Sequence, residues 1–242
     1  MLNHPFAVAA HFDSSTVLTF ACPVKELEKM TPPCLKVDTF QDKYGFIAIA
    51  LVQTRNLRPR GFPAWLGQDF ILSGYRIFVR YRDQRGKNLR GLYILKSETN
   101  KKRMELSGNF FTHYNYTITD ISFQKQGEQI HIHSDKSNYH FTYTEPKDNV
   151  PLPENSPFNN WKEARRYAGP LPFTFTYQPE TNLVTIIEGV RQNWKPQPVE
   201  VSDYHFDFLK TLPVSEITLA NTFVIKNIPY YWKKGKTEIW TP

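Results

Sequence analysis

Three histidines lie close together on a predicted β-hairpin, where they could bind a metal ion. His131 and His133 are two residues apart on one strand and therefore share a face, and His140 lies on the partner strand. Three imidazoles can hold a zinc ion with an open fourth position, but no carboxylate or cysteine stands out as a further ligand. We therefore favour histidines that face solvent, and we predict neither a metal site nor a cofactor.

The sequence lacks the motifs of several common enzyme classes. Ser14, Ser15, Ser97 and Ser107 have no Gly-x-Ser-x-Gly context, which argues against a hydrolase nucleophile. There is neither a phosphate-binding P-loop nor a Gly-x-Gly-x-x-Gly fingerprint. The chemistry of the chain must therefore be sought outside these nucleophile and nucleotide motifs.

Basic residues cluster at four places in the sequence. The clusters are Arg55, Arg58 and Arg60; Arg80, Arg82, Arg85, Lys87 and Arg90; Lys101 to Arg103; and Lys233, Lys234 and Lys236. Aromatic residues lie nearby, as in many nucleic-acid-binding proteins, and the net charge is +7. No RNA or DNA recognition motif accompanies them, so a nucleic-acid or protein interaction module with a basic surface is an alternative and not our first interpretation.

The two cysteines, Cys22 and Cys34, do not form a Cys-x-x-Cys motif, so the sequence gives no sign of a zinc or redox site. A disulfide between them would suit an oxidising compartment, but two free thiols in a core are the simpler interpretation. The N-terminal stretch lacks the basic residues that begin a signal peptide, and no apolar run approaches the length of a membrane helix. We expect a cytoplasmic protein that does not associate with a membrane.

Short runs of alternating or continuous apolar residues predict a chain that is mainly β. The predicted strands are 44–52, 75–82, 89–96, 114–123, 129–133, 139–144, 173–177, 183–189, 200–208 and 222–228. Strands 75–82 and 89–96 are joined by a short turn at 83–86 and should form a hairpin. Three short helices are predicted at 23–30, at 100–107 with an Asn100 cap, and at 157–167 with a Ser156 cap.

The length and composition fit one β-rich domain. The chain has 242 residues, of which 15% are aromatic, and ring side chains favour half-buried pleated surfaces. The segment 145–157 holds four prolines and is either a long connection inside one domain or a boundary between two halves. We prefer a single domain over 1–242, because each half would be small for a barrel.

Several segments, in order, resemble an uncharacterised prokaryotic family of the acetoacetate decarboxylase-like superfamily. The segments are 18–24 (LTFACPV), 32–33 (PP), 35–40 (LKVDTF), the buried strand 44–52, 75–79 (YRIFV), 95–98 (LKSE), 161–167 (WKEARRY) and 193–196 (NWKP). The resemblance covers most of the chain, and the order of the segments carries it. It implies a cone-shaped β-barrel with an additional antiparallel sheet and few short helices.

The resemblance also implies where decarboxylase chemistry would lie. The superfamily's named enzyme forms a Schiff base through a lysine, whose pKa an adjacent lysine lowers by repulsion between the two ammonium groups. The matching turn here places Phe111 and Thr112 where those lysines would be, and the position of the enzyme's glutamate falls near Leu72 or Ser73. The pair Lys101-Lys102 lies instead at a predicted helix start, so we expect no Schiff-base decarboxylation.

The same turn and the Arg-bearing strand supply candidate ligand-binding residues. They are Arg76, Thr112, His113, Tyr114 and Tyr116. A guanidinium, an imidazole and phenols that converge on a barrel mouth would suit a small carboxylate or enolate. The alternative is that Arg76 faces solvent with Arg80 and Arg82, which share its face of the strand.

These residues predict a barrel that binds a small organic acid or carbonyl compound. Arg76 would pair with the anion, and His113 with Tyr116 would orient it. An alternative is a lyase or isomerase that acts on a keto acid, with His113 as general acid and base near neutral pH. The residues therefore allow both a binding protein and an enzyme.

Overall fold

The computed structural model describes residues 3–169, 171–192 and 194–241, which form two β-sheets joined by short helices. The strands are β1 (Val8–Pro23), β2 (Leu35–Val37), β3 (Tyr44–Pro59), β4 (Gln68–Arg82), β5 (Asn88–Thr99), β6 (Tyr116–Ile118), β7 (Ser122–Gln126), β8 (Gln129–Ser134), β9 (Tyr139–Thr144), β10 (Phe173–Gln178), β11 (Leu183–Arg191), β12 (Gln197–Pro198), β13 (Val201–Phe206), β14 (Thr218–Trp232) and β15 (Lys236–Ile239). The helices are α1 (Val24–Met30), α2 (Lys102–Phe111), α3 (Trp161–Ala164) and α4 (Asp207–Lys210), with 3-10 turns at Ala64–Leu66 and Arg165–Tyr167.

The larger sheet has eleven strands and the smaller has four. The main path of the larger sheet runs β12-β14-β1-β3-β4-β5-β10-β11-β15, and a further pairing between β11 and β14 joins the path into a ring. Most neighbours are antiparallel, but β10 and β6 both pair with β5 in parallel. The smaller sheet has the order β13-β9-β8-β7. The protein is therefore mainly β, as its sequence predicts.

The central strands are apolar on both faces because each face packs into a different cluster of buried side chains. On β3, Ile47, Ile49 and Leu51 belong to the cluster that includes the small sheet. The intervening Ala48 and Ala50 belong to the cluster on the other face. This double burial accounts for the continuous apolar run 44–52 and confirms its interpretation as a buried strand.

The predicted hairpin between the fourth and fifth strands is also confirmed, because β4 and β5 pair in antiparallel register from Leu72 and Thr99 to Arg82 and Asn88. The loop that joins them spans 83–87, where the Asp83 carboxylate accepts hydrogen bonds from the backbone of Arg85 and Lys87.

Most predicted strands are longer in the structure, but two of them are divided or cut short. The predicted strand 114–123 divides into β6 and β7, which belong to different sheets. Between them, the Asp120 carboxylate accepts hydrogen bonds from the Ser134 hydroxyl and the Lys136 backbone, which turns the chain from one sheet to the other. The predicted strand 200–208 ends at Phe206, and Asp207 begins α4.

Two of the three predicted helices begin and end at other residues. Helix α2 begins at Lys102, because the Asn100 side chain accepts a hydrogen bond from the Ile71 backbone and is not a cap. Helix α3 begins at Trp161, where the Asn160 side chain accepts a hydrogen bond from the Glu163 backbone. The predicted cap, Ser156, instead donates its hydroxyl to the carbonyl of Ala220.

Strand β1, which has sixteen residues and pairs with β3 on one side and β14 on the other, is not predicted from the sequence, and neither are the short strands β2, β12 and β15. Cys22 at the end of β1 and Cys34 are buried free thiols, as predicted. Burial raises the pKa of Cys22 to about 12. None of the helices in the described ranges has the length and hydropathy to span a bilayer.

Candidate functional site

A cavity of about 190 Å³ lies on the face of the large sheet opposite the small sheet. Strands β1, β3, β4, β5 and β14 supply its walls, and α2 with the segment that follows it closes one side. Four of the five predicted ligand-binding residues line it: Arg76, Thr112, Tyr114 and Tyr116. The structure therefore brings together residues that are up to 40 positions apart in the sequence.

Arg76 is half-buried and lines this wall, whereas Arg80 and Arg82, the other arginines on its face of β4, do not. Arg80 forms an ion pair with the buried carboxylate of Asp38, and Arg82 is exposed. The guanidinium of Arg76 lies over Gly74, where a Cβ atom would come within 2.8 Å of Nη2. No carboxylate in the described part of the chain forms an ion pair with Arg76, so its charge faces the cavity without a counterion from these residues.

Two β-bulges set which side chains face the cavity. The register between β1 and β3 shifts between Phe12 and Ser14, so that Phe12 and Ser15 both line the cavity although they are three residues apart. The register between β4 and β5 shifts after Tyr75, so that Arg76 pairs with Ile94, which also lines the cavity. Bulges re-aim side chains in this way beside many binding sites.

Three tyrosines share the cavity with Arg76. Burial raises the pKa of Tyr116 to about 12, while the positive charge of Arg76 lowers it in part. Burial likewise raises the pKa of Tyr114 and of Tyr230, and Arg76 again opposes both shifts. All three phenols therefore carry their protons at neutral pH and can act as hydrogen-bond donors.

The end of α2 holds Tyr116 in place through backbone hydrogen bonds. The Asn109 side chain accepts a hydrogen bond from the backbone N–H of Tyr116 and donates one to its carbonyl. The ring of Tyr116 lies against Gly108, where a Cβ would come within 2.4 Å of ring carbon Cδ2. The predicted helix end at residue 107 is thus wrong, because Gly108 lies inside α2 and makes room for the ring.

His113 is placed differently from the other four candidates. It is not among the described residues that line the cavity. Its Nε2 atom lies 2.7 Å from Asn3 Oδ1 and 3.0 Å from Gln178 Nε2, and burial lowers its pKa. These contacts tie the segment after α2 to two distant parts of the chain.

The positions that the superfamily resemblance assigns to a lysine pair do line the cavity. Phe111 and Thr112 both contribute to its wall, and the Thr112 hydroxyl donates to the Gly108 carbonyl. Lys101 and Lys102 lie at the exposed start of α2. No lysine is found among the described residues that line the cavity.

Other lining residues were missed by the sequence analysis, notably Ser15, Thr54 and Tyr230. The Ser15 hydroxyl is buried and has no hydrogen-bond partner within the described ranges. Buried hydroxyls usually have partners, so this one is free to bind a water molecule or a ligand. No local motif marks these residues, because β1, β3 and β14 meet only when the sheet forms.

A second buried polar cluster lies on the other face of the sheet. Glu98 is 1% exposed and accepts hydrogen bonds from the hydroxyls of Ser73 and Ser137, at 2.6 and 2.7 Å. Lys96 forms an ion pair with the same carboxylate, at 2.6 Å. Ser73, one of two positions assigned to the superfamily's glutamate, therefore faces away from the cavity, whereas Leu72 lines it.

The hairpin histidines each have a nearby polar partner. His131 Nδ1 lies 2.9 Å from the Thr142 hydroxyl, and the ring of His133 lies within hydrogen-bond distance of the Ser122 hydroxyl. His140 contacts the carboxylate of Asp203, at 3.0 Å. Among residues 3–169, 171–192 and 194–241, no group of three or more His, Cys, Asp or Glu side chains could hold a metal ion.

Solved structures with a similar fold come from acetoacetate decarboxylase-like enzymes. Acetoacetate decarboxylase from Legionella pneumophila is 11% identical, with a TM-score of 0.61 over 95% of this chain and 87% of that chain. An acetoacetate decarboxylase-like enzyme from Sphingomonas wittichii RW1 is 10% identical, with a TM-score of 0.58 over 96% and 92%. The enduracididine biosynthesis enzyme MppR, solved with pyruvate, is 9% identical, with a TM-score of 0.59 over 98% and 92%.

At these identities the solved structures show the fold alone. No curated protein matches the chain. The segment 193–196 contributes to the family resemblance, and its first residue, Asn193, lies outside the described ranges. Trp194 in the same segment packs against the apolar cluster that borders the cavity. A family model of an uncharacterized conserved protein, DUF2071, matches residues 9–234. The chain therefore belongs to the DUF2071 family and has the fold of the acetoacetate decarboxylase-like proteins.

Proposed function

We propose that the cavity binds a small organic acid or carbonyl compound through Arg76. The observation that carries this proposal is a guanidinium that faces an apolar cavity and has no ion-pair partner among the described residues. A charge in such surroundings is stabilised when an anion with hydrogen-bonding oxygens binds to it. A carboxylate is the simplest group that meets both requirements, and an enolate has the same charge.

The tyrosines and Thr112 complete the proposed site. The phenols of Tyr114 and Tyr116 are protonated and can donate to the second oxygen of a carboxylate or to a neighbouring carbonyl. Thr112 lies in the same wall, although its hydroxyl proton is engaged by Gly108. His113 contributes by holding the segment in position, so the alternative in which it acts as the acid and base of a lyase or isomerase has less support from the geometry.

The proposed site acts without Schiff-base decarboxylation. Imine formation requires an unprotonated lysine amine beside the carbonyl carbon. Phe111 and Thr112 occupy the positions that resemble the lysine pair, and neither side chain can form an imine. The solved structure of MppR with pyruvate supports a small carbonyl acid as a ligand class for this fold. We also propose that the strand ring is the cone-shaped barrel that the resemblance implies.

The test is a binding measurement with a panel of carboxylates, keto acids, ketones, phosphates and RNA at two salt concentrations. Thermal shift provides the readout, because a ligand at about 100 times its Kd stabilises a protein by about 2.7 kcal/mol. We expect carboxylates or keto acids to raise the unfolding temperature of the wild type and of Arg82→Met, but not of Arg76→Met.

The variant Arg82→Met is the matched control, because Arg82 is an exposed arginine on the same strand and does not line the cavity. Equal stabilisation of Arg76→Met and the wild type by acids would overturn the role of Arg76. Binding of RNA alone, with an affinity that falls steeply with salt, would favour the nucleic-acid alternative.

A further inference from the structure

We infer that the preferred ligand is an amphipathic carboxylic acid with an alkyl or aryl part of about five to seven carbons. This inference rests on the proposed function, since it uses the same cavity and the same anion contact at Arg76. It adds the chemical class of the rest of the ligand. Short keto acids such as pyruvate would occupy only part of the cavity.

The chemistry of the cavity wall limits the kind of ligand that fits. Aliphatic and aromatic side chains dominate the lining around Arg76. They include Phe12, Val52, Phe70, Leu72, Leu92 and Ile94. Apart from backbone groups, the polar atoms come from eight hydroxyls, two arginines, His4, Gln68 and the Trp232 indole, and most of them lie at the ends of otherwise apolar side chains or singly between them. A ligand that fills this space must therefore be apolar over most of its length.

The charged side chains described in the cavity wall are all basic. No aspartate or glutamate is found among the described residues that line the cavity, whereas Arg58 and Arg76 both contribute to it. The Arg58 guanidinium already donates to the carbonyls of Phe62 and Asn56, which leaves Arg76 as the cation without a partner among the described groups. Arg58 keeps its charge, but Arg76 is the described lining cation whose donors are unused, and a ligand with one carboxylate and a hydrocarbon body would use them.

The volume of the cavity also fits a ligand of this length. An apolar cavity of about 150 Å³ holds a benzene molecule, which has six carbons. The cavity here, at about 190 Å³, is somewhat larger and therefore has room for a chain or ring of similar size together with a carboxylate. Pyruvate has only one methyl group to place against these walls, so most of the apolar surface would remain uncovered.

The outer side of α2 continues the apolar surface beyond the cavity. Phe111 lines the wall, and its ring contacts that of Phe110 at a centroid distance of 5.0 Å. Phe110 is 57% exposed, and Leu106, one helical turn earlier, is 72% exposed. Exposed apolar side chains thus adjoin the wall residue Phe111, and a ligand with a hydrocarbon part can contact them where a small hydrophilic acid cannot.

The test is a series of straight-chain acids measured by isothermal titration calorimetry on the intact protein. The series is acetate, butyrate, hexanoate, octanoate and decanoate, with pyruvate, 3-phenylpropanoate and 1-octanol as further probes. We expect the affinity to rise by about fourfold for each buried methylene and to level off between hexanoate and decanoate. We expect 3-phenylpropanoate to bind at least tenfold more tightly than pyruvate.

Two variants test separately how the carboxylate and the alkyl chain of the ligand contribute to binding. Arg76→Met should weaken octanoate binding by at least tenfold and leave 1-octanol binding unchanged, because only the acid has a charge to lose. Val52→Phe adds volume to the wall and should move the preferred chain length toward shorter acids, with the unfolding temperature as the check on its fold. Arg82→Met should match the wild type with every probe.

The possible outcomes distinguish this inference from the function on which it rests. Pyruvate and acetate that bind as tightly as octanoate would overturn the amphipathic ligand while supporting the acid site. The absence of binding by any carboxylate, short or long, would overturn both. A 1-octanol affinity equal to that of octanoate would support an apolar cavity but contradict the anion contact, and so would overturn the inference as stated.

Discussion

The guanidinium of Arg76 lies over Gly74, two residues earlier on β4, and a Cβ at Gly74 would come within 2.8 Å of Nη2. This close approach is available only because glycine has no side chain. The strand thus lets the arginine lie along its own surface, at a bulge that points it into the cavity. Gly74 and Arg76 therefore act as one unit in the proposed anion site.

The substitution Gly74→Ala should displace the guanidinium and weaken carboxylate binding with little effect on the fold. The new methyl group would contact only the end of a flexible side chain, which can move at small cost. Calorimetry with octanoate should show a loss in the wild-type background and no further loss in Arg76→Met. Equal losses in the two backgrounds would mean that Gly74 acts independently of Arg76.

Treatment with borohydride in the presence of pyruvate or acetoacetate should leave the mass of the protein unchanged. Reduction traps an imine on a lysine, and the described cavity wall contains no lysine. Intact-mass spectrometry reads the result, and a Schiff-base enzyme treated in parallel is the positive control. A stable adduct, mapped by peptide analysis to Lys101 or Lys102, would restore the decarboxylase mechanism.

The substitution Gly108→Ala should destabilise the protein although alanine favours helices. A Cβ here would come within 2.4 Å of the Tyr116 ring, which Asn109 holds through two backbone hydrogen bonds. Overpacking of this kind costs about 1–3 kcal/mol, which exceeds the gain in helix propensity. Urea denaturation measures the difference, with Leu106→Ala on the exposed face of α2 as the control. An unchanged or raised midpoint for Gly108→Ala would show that the ring is free to move.

The substitution Glu98→Gln should reduce stability by about 2–3 kcal/mol and leave ligand binding intact. It removes the charge that balances Lys96 and places an amide N–H beside hydroxyl donors. The cluster lies on the face of the sheet opposite the cavity, so the octanoate affinity should match that of the wild type once both are folded. Glu128→Gln, at an exposed ion pair, is the stability control. A change in octanoate affinity for Glu98→Gln would link the two faces.

The sequence predicts which segments form strands and helices better than it predicts where those elements begin and end. Tyr44 to Val52 reads as a buried strand because every side chain in it packs into one of two clusters. The end of α2 could not be read in the same way, because Gly108 is normally a stop signal and its actual role depends on the distant ring of Tyr116.

The sequence predicts only those residues of the candidate site that lie on β4 and on the segment after α2. Arg76 and the residues 112–116 follow from the strand pattern and the family resemblance, and the structure places Arg76, Thr112, Tyr114 and Tyr116 at one cavity. Ser15 and Tyr230 come from strands at opposite ends of the chain that pair with each other. Their proximity depends on sheet register, which has no short-range signal in the sequence.

The most direct measurement is a crystal structure of the protein with octanoate. The account predicts the carboxylate within hydrogen-bond distance of the Arg76 guanidinium, about 2.7–2.9 Å, with the alkyl chain against Leu72, Leu92 and Ile94. Octanoate bound elsewhere, or bound in this cavity with its carboxylate directed away from Arg76, would contradict the account.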